Sequence, residues 1–205
     1  DIETQKDEMI ELPRFRKVLD GFTEDELQQK CLFGYWRFLG ARKFDPIGDH
    51  WEDIDFDKGV VHRWCKKKET KIDTGGRGCP IDPEFMPLLI QWRERVIAEK
   101  GEATGPIFPW LNHYYEKSLD KAGDDGRVYR YFKFRVERVE DEAWPNLIKS
   151  LRSSRSKEYR RLKNGSFLES IWIGHSEEVA EKHYDGLLES DLDLVRATSS
   201  KGEAA

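Results

Sequence analysis

Cysteine is scarce in this chain of 205 residues, with three in all. Cys31, Cys65 and Cys79 show neither CxxC nor Cys/His spacing, which excludes a disulfide framework and leaves no zinc signature; they read as reduced thiols. Long apolar runs are missing too. Nothing approaches the roughly 18 residues of a membrane span, and the acidic opening DIETQKDE is neither a secretory signal nor a transit peptide. Internal repeats and low-complexity segments are also absent. These absences point to a cytoplasmic protein away from the membrane. At 205 residues the chain is long enough for one sizeable domain and could hold two small ones, and its 38% hydrophobic, 12% aromatic and 37% charged residues describe a soluble globular protein with a highly charged surface.

A positive balance is lacking as well, since the net charge is -5. Its distribution is uneven. Residues 127–163 hold twelve Lys and Arg against five acids, a segment of +7 that leaves -12 for the remainder. Such a split suggests a polyanion-facing surface on an acidic body, although a solvated basic helix has the same composition.

In chain order, Pro13 opens a short helix that Gly21 ends. Thr23 and Glu26 have capping-box spacing ahead of a helix with Leu27, Cys31, Leu32, Tyr35, Trp36 and Leu39 on one face, closed by Gly40. WEDIDF turns at Asp57-Lys58-Gly59 into VVHRWC, a hairpin. The tract KKKETK and the loop TGGRG lead to a short third strand, Cys79-Pro80-Ile81. Asp82-Pro83-Glu84 starts a helix whose buried side is expected to carry Met86, Leu89, Ile90, Trp92, Val96 and Ile97. WLNHYYEKSLDKAG is a further helix ending at Gly123. RVYRYFKFRV alternates as a strand or strand pair would, without a clear place in the fold. Helices resume at Pro145 and break near Asn164-Gly165. Ile171-Trp172-Ile173 before Gly174-His175 marks a helix end, and Ser176 with two glutamates marks the next N-cap.

Four landmarks stand in order: Arg42 just past a helix end, the basic tract beside the hairpin, Lys149-Ser150-Leu151-Arg152 opening a basic helix, and His175 with Tyr184 nine residues later. Each has an ordinary reading. Arg42 can cap a helix C-terminus, the lysines can be solvated, Arg152 can belong to a basic face, and a single His or Tyr is usually packing or surface.

Together the landmarks resemble the catalytic domain of the tyrosine recombinase, or phage integrase, family, from about Leu12 to about Leu188. Gly40-Ala41-Arg42, Asp45 in place of the usual Glu, and Trp51-Glu52-Asp53-Ile54-Asp55 match the first box. Lys149-Ser150-Leu151-Arg152 matches H-x-L-R, with Lys replacing the commonest His. Ile173-Gly174-His175 and Tyr184 match the third box. The resemblance implies an α+β, mainly α, domain with a small antiparallel three-stranded sheet, spanning residues 1–205 with a tail at 189–205. The family's N-terminal core-binding domain has no counterpart in this sequence.

The implied activity is site-specific DNA recombination through a 3′-phosphotyrosyl intermediate, without metal, ATP or other cofactor. Tyr184 would be the nucleophile, with Tyr159 the next candidate. Arg42 and Arg152 would clamp the phosphate, Lys71 would be the general acid with Lys68 as runner-up, and His175 and Lys149 would support them. Arg155, Arg160 and Arg161 are the candidate DNA-backbone contacts. Implied partners are double-stranded DNA, a homotetramer on DNA, and accessory DNA-bending proteins.

The chemistry fits these residue types. A phosphodiester resists attack because it is anionic, so charge growing on two non-bridging oxygens must be neutralised. Guanidiniums offer planar paired donors and keep their protons. A lysine can protonate the departing 5′ oxygen, and a phosphotyrosyl link conserves the bond energy for resealing. The alternatives are an integrase-like DNA-binding module without catalysis, type IB topoisomerase-like relaxation of DNA, and a basic-faced helical interaction domain.

Overall fold

The computed structural model describes residues 8–63, 77–119, 126–162 and 165–173. The chain divides into two compact units, one of residues 1–47 and 107–157, the other of residues 48–106 and 158–205. The architecture is mainly helical with one small three-stranded antiparallel sheet. No helix among the described residues is long and apolar enough to cross a membrane.

The first unit is built on aromatic side chains. Helix α1, Leu12–Asp20, begins with Pro in its first turn and is capped by Gly21, because Pro lacks only an N–H that would have no partner there. The capping box forms as the sequence suggests: Glu26 Oε2 accepts from the Thr23 N–H and hydroxyl, both at 3.1 Å. Helix α2, Leu27–Phe38, follows. It buries Phe33, Phe38 and Arg37 as well as the expected face, so beyond its half-buried first turn, Gln28 to Lys30, it is surrounded on all sides. Phe33 stacks on Phe15 at 5.2 Å and on Phe132 at 5.4 Å, while Trp36 meets Phe132 edge-on at 4.8 Å.

Phe132 belongs to a helix and not to a strand. Helix α4, Pro109–Leu119, is followed by α5, Gly126–Glu137, which is where RVYRYFKFRV lies. Val128, Phe132 and Val136 recur every fourth residue and are buried, whereas Phe134, which alternation would place beside Phe132, is 57% exposed. Packing against α2 favours the helical period over the strand propensity of β-branched and aromatic residues. Helix α6, Leu147–Arg160, closes this unit, which holds its residues through Lys157.

In the second unit, β1 (Ile54–Asp55), β2 (Val60–Arg63) and β3 (Arg77–Pro80) pair in that order. Val61 lies opposite Ile54 on one side and Cys79 on the other. The hairpin turns where the sequence places it. Asp55 Oδ1 accepts the Lys58 N–H at 2.9 Å, and Gly59 takes φ of 66°, a conformation that costs glycine least. The third strand ends at Pro80, one residue short of the expected Ile81, whose N–H donates to the Gly59 carbonyl at 2.8 Å.

Helix α3, Met86–Lys100, starts after a turn in which the Asp82 carbonyl accepts from Phe85 and Met86. Its buried stripe is Leu89, Trp92 and Val96. Ile90 and Ile97, expected on that side, are 39% and 38% exposed; each lies about 100° around the helix from Leu89 or Val96. Helix α7, Gly165–Trp172, packs with Tyr159 and Ile173 in a small cluster.

Candidate phosphate-binding site

Helix α2 ends at Phe38, and the chain leaves it through Gly40 at φ of 60°. This left-handed residue reverses the chain, so that Ala41 is buried and Arg42 exposed. Asp45, in the acidic position of the first box, fixes the loop reciprocally. Its Oδ2 accepts the Arg42 N–H at 2.9 Å, and its own N–H donates to the Arg42 carbonyl at 3.1 Å. The Arg42 guanidinium engages no hydrogen bond or ion pair among the described residues.

Arg152 approaches the same loop from α6. It is 8% exposed, and its Nη1 donates to the Gly40 carbonyl at 2.7 Å. A carbonyl accepts a hydrogen bond without cancelling the donor's charge, so this contact orients a buried cation two residues from Arg42. Lys149 is exposed one turn earlier on α6, at the i, i+3 spacing that puts two residues on one side of a helix. The start of α6 is fixed by the Trp144 Nε1–H on the Leu147 carbonyl at 3.0 Å and by Ser150 Oγ on the Pro145 carbonyl at 2.6 Å.

Among the three candidate backbone contacts, only Arg161 is an exposed residue without an ion pair among those described. Arg155 is buried, at 4% exposure. Arg160 is exposed but pairs through two nitrogens with Glu169 on α7, Nη2 to Oε1 at 2.9 Å and Nε to Oε2, and this contact raises its pKa further. Tyr159 is 2% exposed and packs edge-on against Trp172 at 5.0 Å, a core position. Lys68, Lys71, His175 and Tyr184 lie outside the described residues.

Two features of this region escaped the sequence reading. One is the Gly40 carbonyl as partner of Arg152, for which a main-chain oxygen offers no sequence signal. The other is the outer face of α5, where Arg127, Arg130, Lys133 and Arg138 are exposed and the Arg135 and Arg138 guanidiniums lie 5.8 and 5.9 Å from the Phe134 ring centre. The charge split announced this face, but reading the segment as a strand hid its helical spacing.

No protein-family model matches the sequence, and no curated protein does. Solved structures do. The whole chain aligns with 67% of XerA recombinase at a TM-score of 0.59 and 10% identity. It also aligns in full with 68% of the Tn1549 transposon integrase in complex with transposon right end DNA, at a TM-score of 0.56 and 15% identity. A second structure of that integrase, in complex with a circular intermediate DNA, matches 98% of the chain at 0.52 and 13%. At such identities the likeness is one of fold: this chain has the fold of the tyrosine recombinase catalytic domain.

Proposed function

We propose that the chain, residues 1–205, is the catalytic domain of a site-specific DNA recombinase that acts on double-stranded DNA in the cytoplasm. The observation that carries this reading is the buried Arg152 guanidinium on the Gly40 carbonyl, two residues from the exposed Arg42. Two cations brought to one loop suit the two non-bridging oxygens of a phosphodiester. The recombinase-like fold supports the same reading, as does the basic outer face of α5.

In this mechanism Tyr184 Oη attacks the scissile phosphorus and loses its proton to His175 or Lys149. The phosphorus–O5′ bond breaks, Lys71 protonates the departing oxygen, and a 3′-phosphotyrosyl bond remains. Attack by the 5′ hydroxyl of another strand reverses these steps, so neither metal nor ATP is consumed. Joining two duplexes calls for several subunits, in this proposal four on DNA, with accessory bending proteins where the site requires them.

The test is a nicked suicide duplex whose cleaved end diffuses away. The full chain should form a DNA adduct that survives SDS, and Arg42→Ala and Arg152→Ala should each lower its yield by about 10²-fold or more. Adduct formation unaffected by both substitutions would overturn the assignment of the clamp. No adduct from the unaltered protein would favour a DNA-binding module without catalysis.

A further inference from the structure

Next to Arg152 lies an arrangement that the proposed chemistry does not use. The main chain of Ile10 is held from both sides: its N–H donates to Ser154 Oγ at 2.7 Å, and its carbonyl accepts from Arg37 Nη2 at 3.2 Å. Ser154 Oγ in turn donates to the Ser150 carbonyl at 2.7 Å, so the hydroxyl serves as acceptor and donor at once. Ile10, Arg37 and Ser154 are all fully buried.

Placement matters here. Ser154 follows Arg152 by two residues on α6, and Arg37 precedes Gly40 by three on α2 and its loop. The Ile10 peptide therefore joins the two elements that meet in the Arg152–Gly40 contact. A buried peptide must satisfy its N–H and C=O, and a local turn would suffice for that. This one instead takes each partner from a different helix, and the Arg37 cation, 5.9 Å from the Phe15 ring centre, is buried to supply one of them.

We infer that Ser154, Arg37 and the Ile10 main chain form a positioning clamp that sets α6 against α2 and thereby holds the Arg152 guanidinium in place for the scissile phosphate. The inference rests on the recombinase reading above. None of the three touches the substrate; they act through Arg152. Misplacement of a reacting or charge-stabilising group by about 1 Å costs on the order of 10²-fold in rate, so a small loosening of α6 is enough to matter.

The experiment compares the full chain with its Ser154→Ala variant on two suicide duplexes, one with the normal scissile phosphodiester and one with a methylphosphonate there. The methylphosphonate carries no charge, so its cleavage depends less on a well-placed guanidinium. The clamp requires Ser154→Ala to slow cleavage of the phosphodiester by on the order of 10²-fold and to slow the methylphosphonate by much less. Equal slowing on both substrates, or none on either, would overturn it, since general damage to the fold does not select between them. If Ser154→Ala does not fold, Ser154→Cys, which keeps the size and weakens the hydrogen bonds, reads the same ratio. Failure of the unaltered protein to cleave either duplex would sink the recombinase reading and the clamp with it, whereas cleavage by that protein with a non-selective Ser154 variant sinks the clamp alone.

Discussion

In the first unit two buried arginines donate to main-chain carbonyls, Arg152 to Gly40 and Arg37 to Ile10, while the largely buried Arg135 pairs with the Glu26 carboxylate. In the second, a buried arginine and an exposed one each pair with a buried carboxylate. Arg63 pairs with Asp49 at 3.3 Å, with side chains 9% and 1% exposed, and the largely buried Glu169 takes Arg160. The cores differ in the same way. Rings of Phe15, Phe33 and Phe132, stacked, with Trp36 edge-on, fill the first, whereas the second mixes aliphatic side chains with separate aromatic ones such as Trp51, Phe85 and Trp92 around a short sheet. The difference is informative because a carbonyl fixes the direction of a guanidinium through a neutral acceptor, whereas a carboxylate fixes it through opposite charge.

Substitutions test how the two units differ. The largest effect is expected at Phe132→Ala, which removes a ring that packs against Phe33 and Trp36, and should cost about 3–5 kcal/mol in a denaturant melt. Asp49→Ala should cost nearly as much, about 3 kcal/mol, because it removes the buried carboxylate that Arg63 meets in the interior, while the double change Asp49→Leu with Arg63→Leu should recover most of the loss. Failure of the double variant to recover would mean that the pair does more than hold the second unit together.

Arg160→Ala and Arg161→Ala sharpen the comparison at the surface. Arg160 has a side chain 60% exposed but its partner Glu169 is buried, so its removal should cost about 1–3 kcal/mol of stability and leave the salt dependence of DNA binding nearly unchanged. Arg161→Ala should do the reverse, leaving the melt intact and flattening the log-log salt slope by about 0.9 if it meets one phosphate. Equal slopes for the two variants would remove the distinction.

The smallest effect concerns pH. Burial pushes the Tyr131 hydroxyl, which donates to Glu26 Oε1, up to about 12 from its ordinary value of 10.0. Between those values the folded protein binds more protons than the unfolded chain, so stability is intact below pH 10 and declines as pH rises toward 12. Tyr131→Phe should flatten that decline, as read by chemical denaturation across the alkaline range.

Much of this was legible in the residues. Helix starts at Pro13 and Thr23, the turn at Asp57-Lys58-Gly59 and the break near Gly165 rest on local chemistry, and local chemistry is written in a few adjacent side chains. Helix α5 was not legible, because its pattern satisfies two periods and only the rings of Phe33 and Trp36, a hundred residues away in sequence, decide between them. The placement of Arg42 beyond a helix end followed from Gly40. The Arg152 contact did not, since its acceptor is a main-chain atom, and neither did the burial of Arg155 or the pairing of Arg160, which depend on what α6 packs against.

In the proposed reaction the oriented guanidinium of Arg152 serves phosphoryl transfer to Tyr184. Its most direct test is to trap the full chain on a suicide duplex, digest the adduct, and identify the DNA-linked peptide by mass spectrometry. The 3′ phosphate should be carried by Tyr184, with no adduct from Tyr184→Phe and DNA binding by that variant retained. A 3′ phosphate on any other residue, or an adduct that persists in Tyr184→Phe, would contradict it.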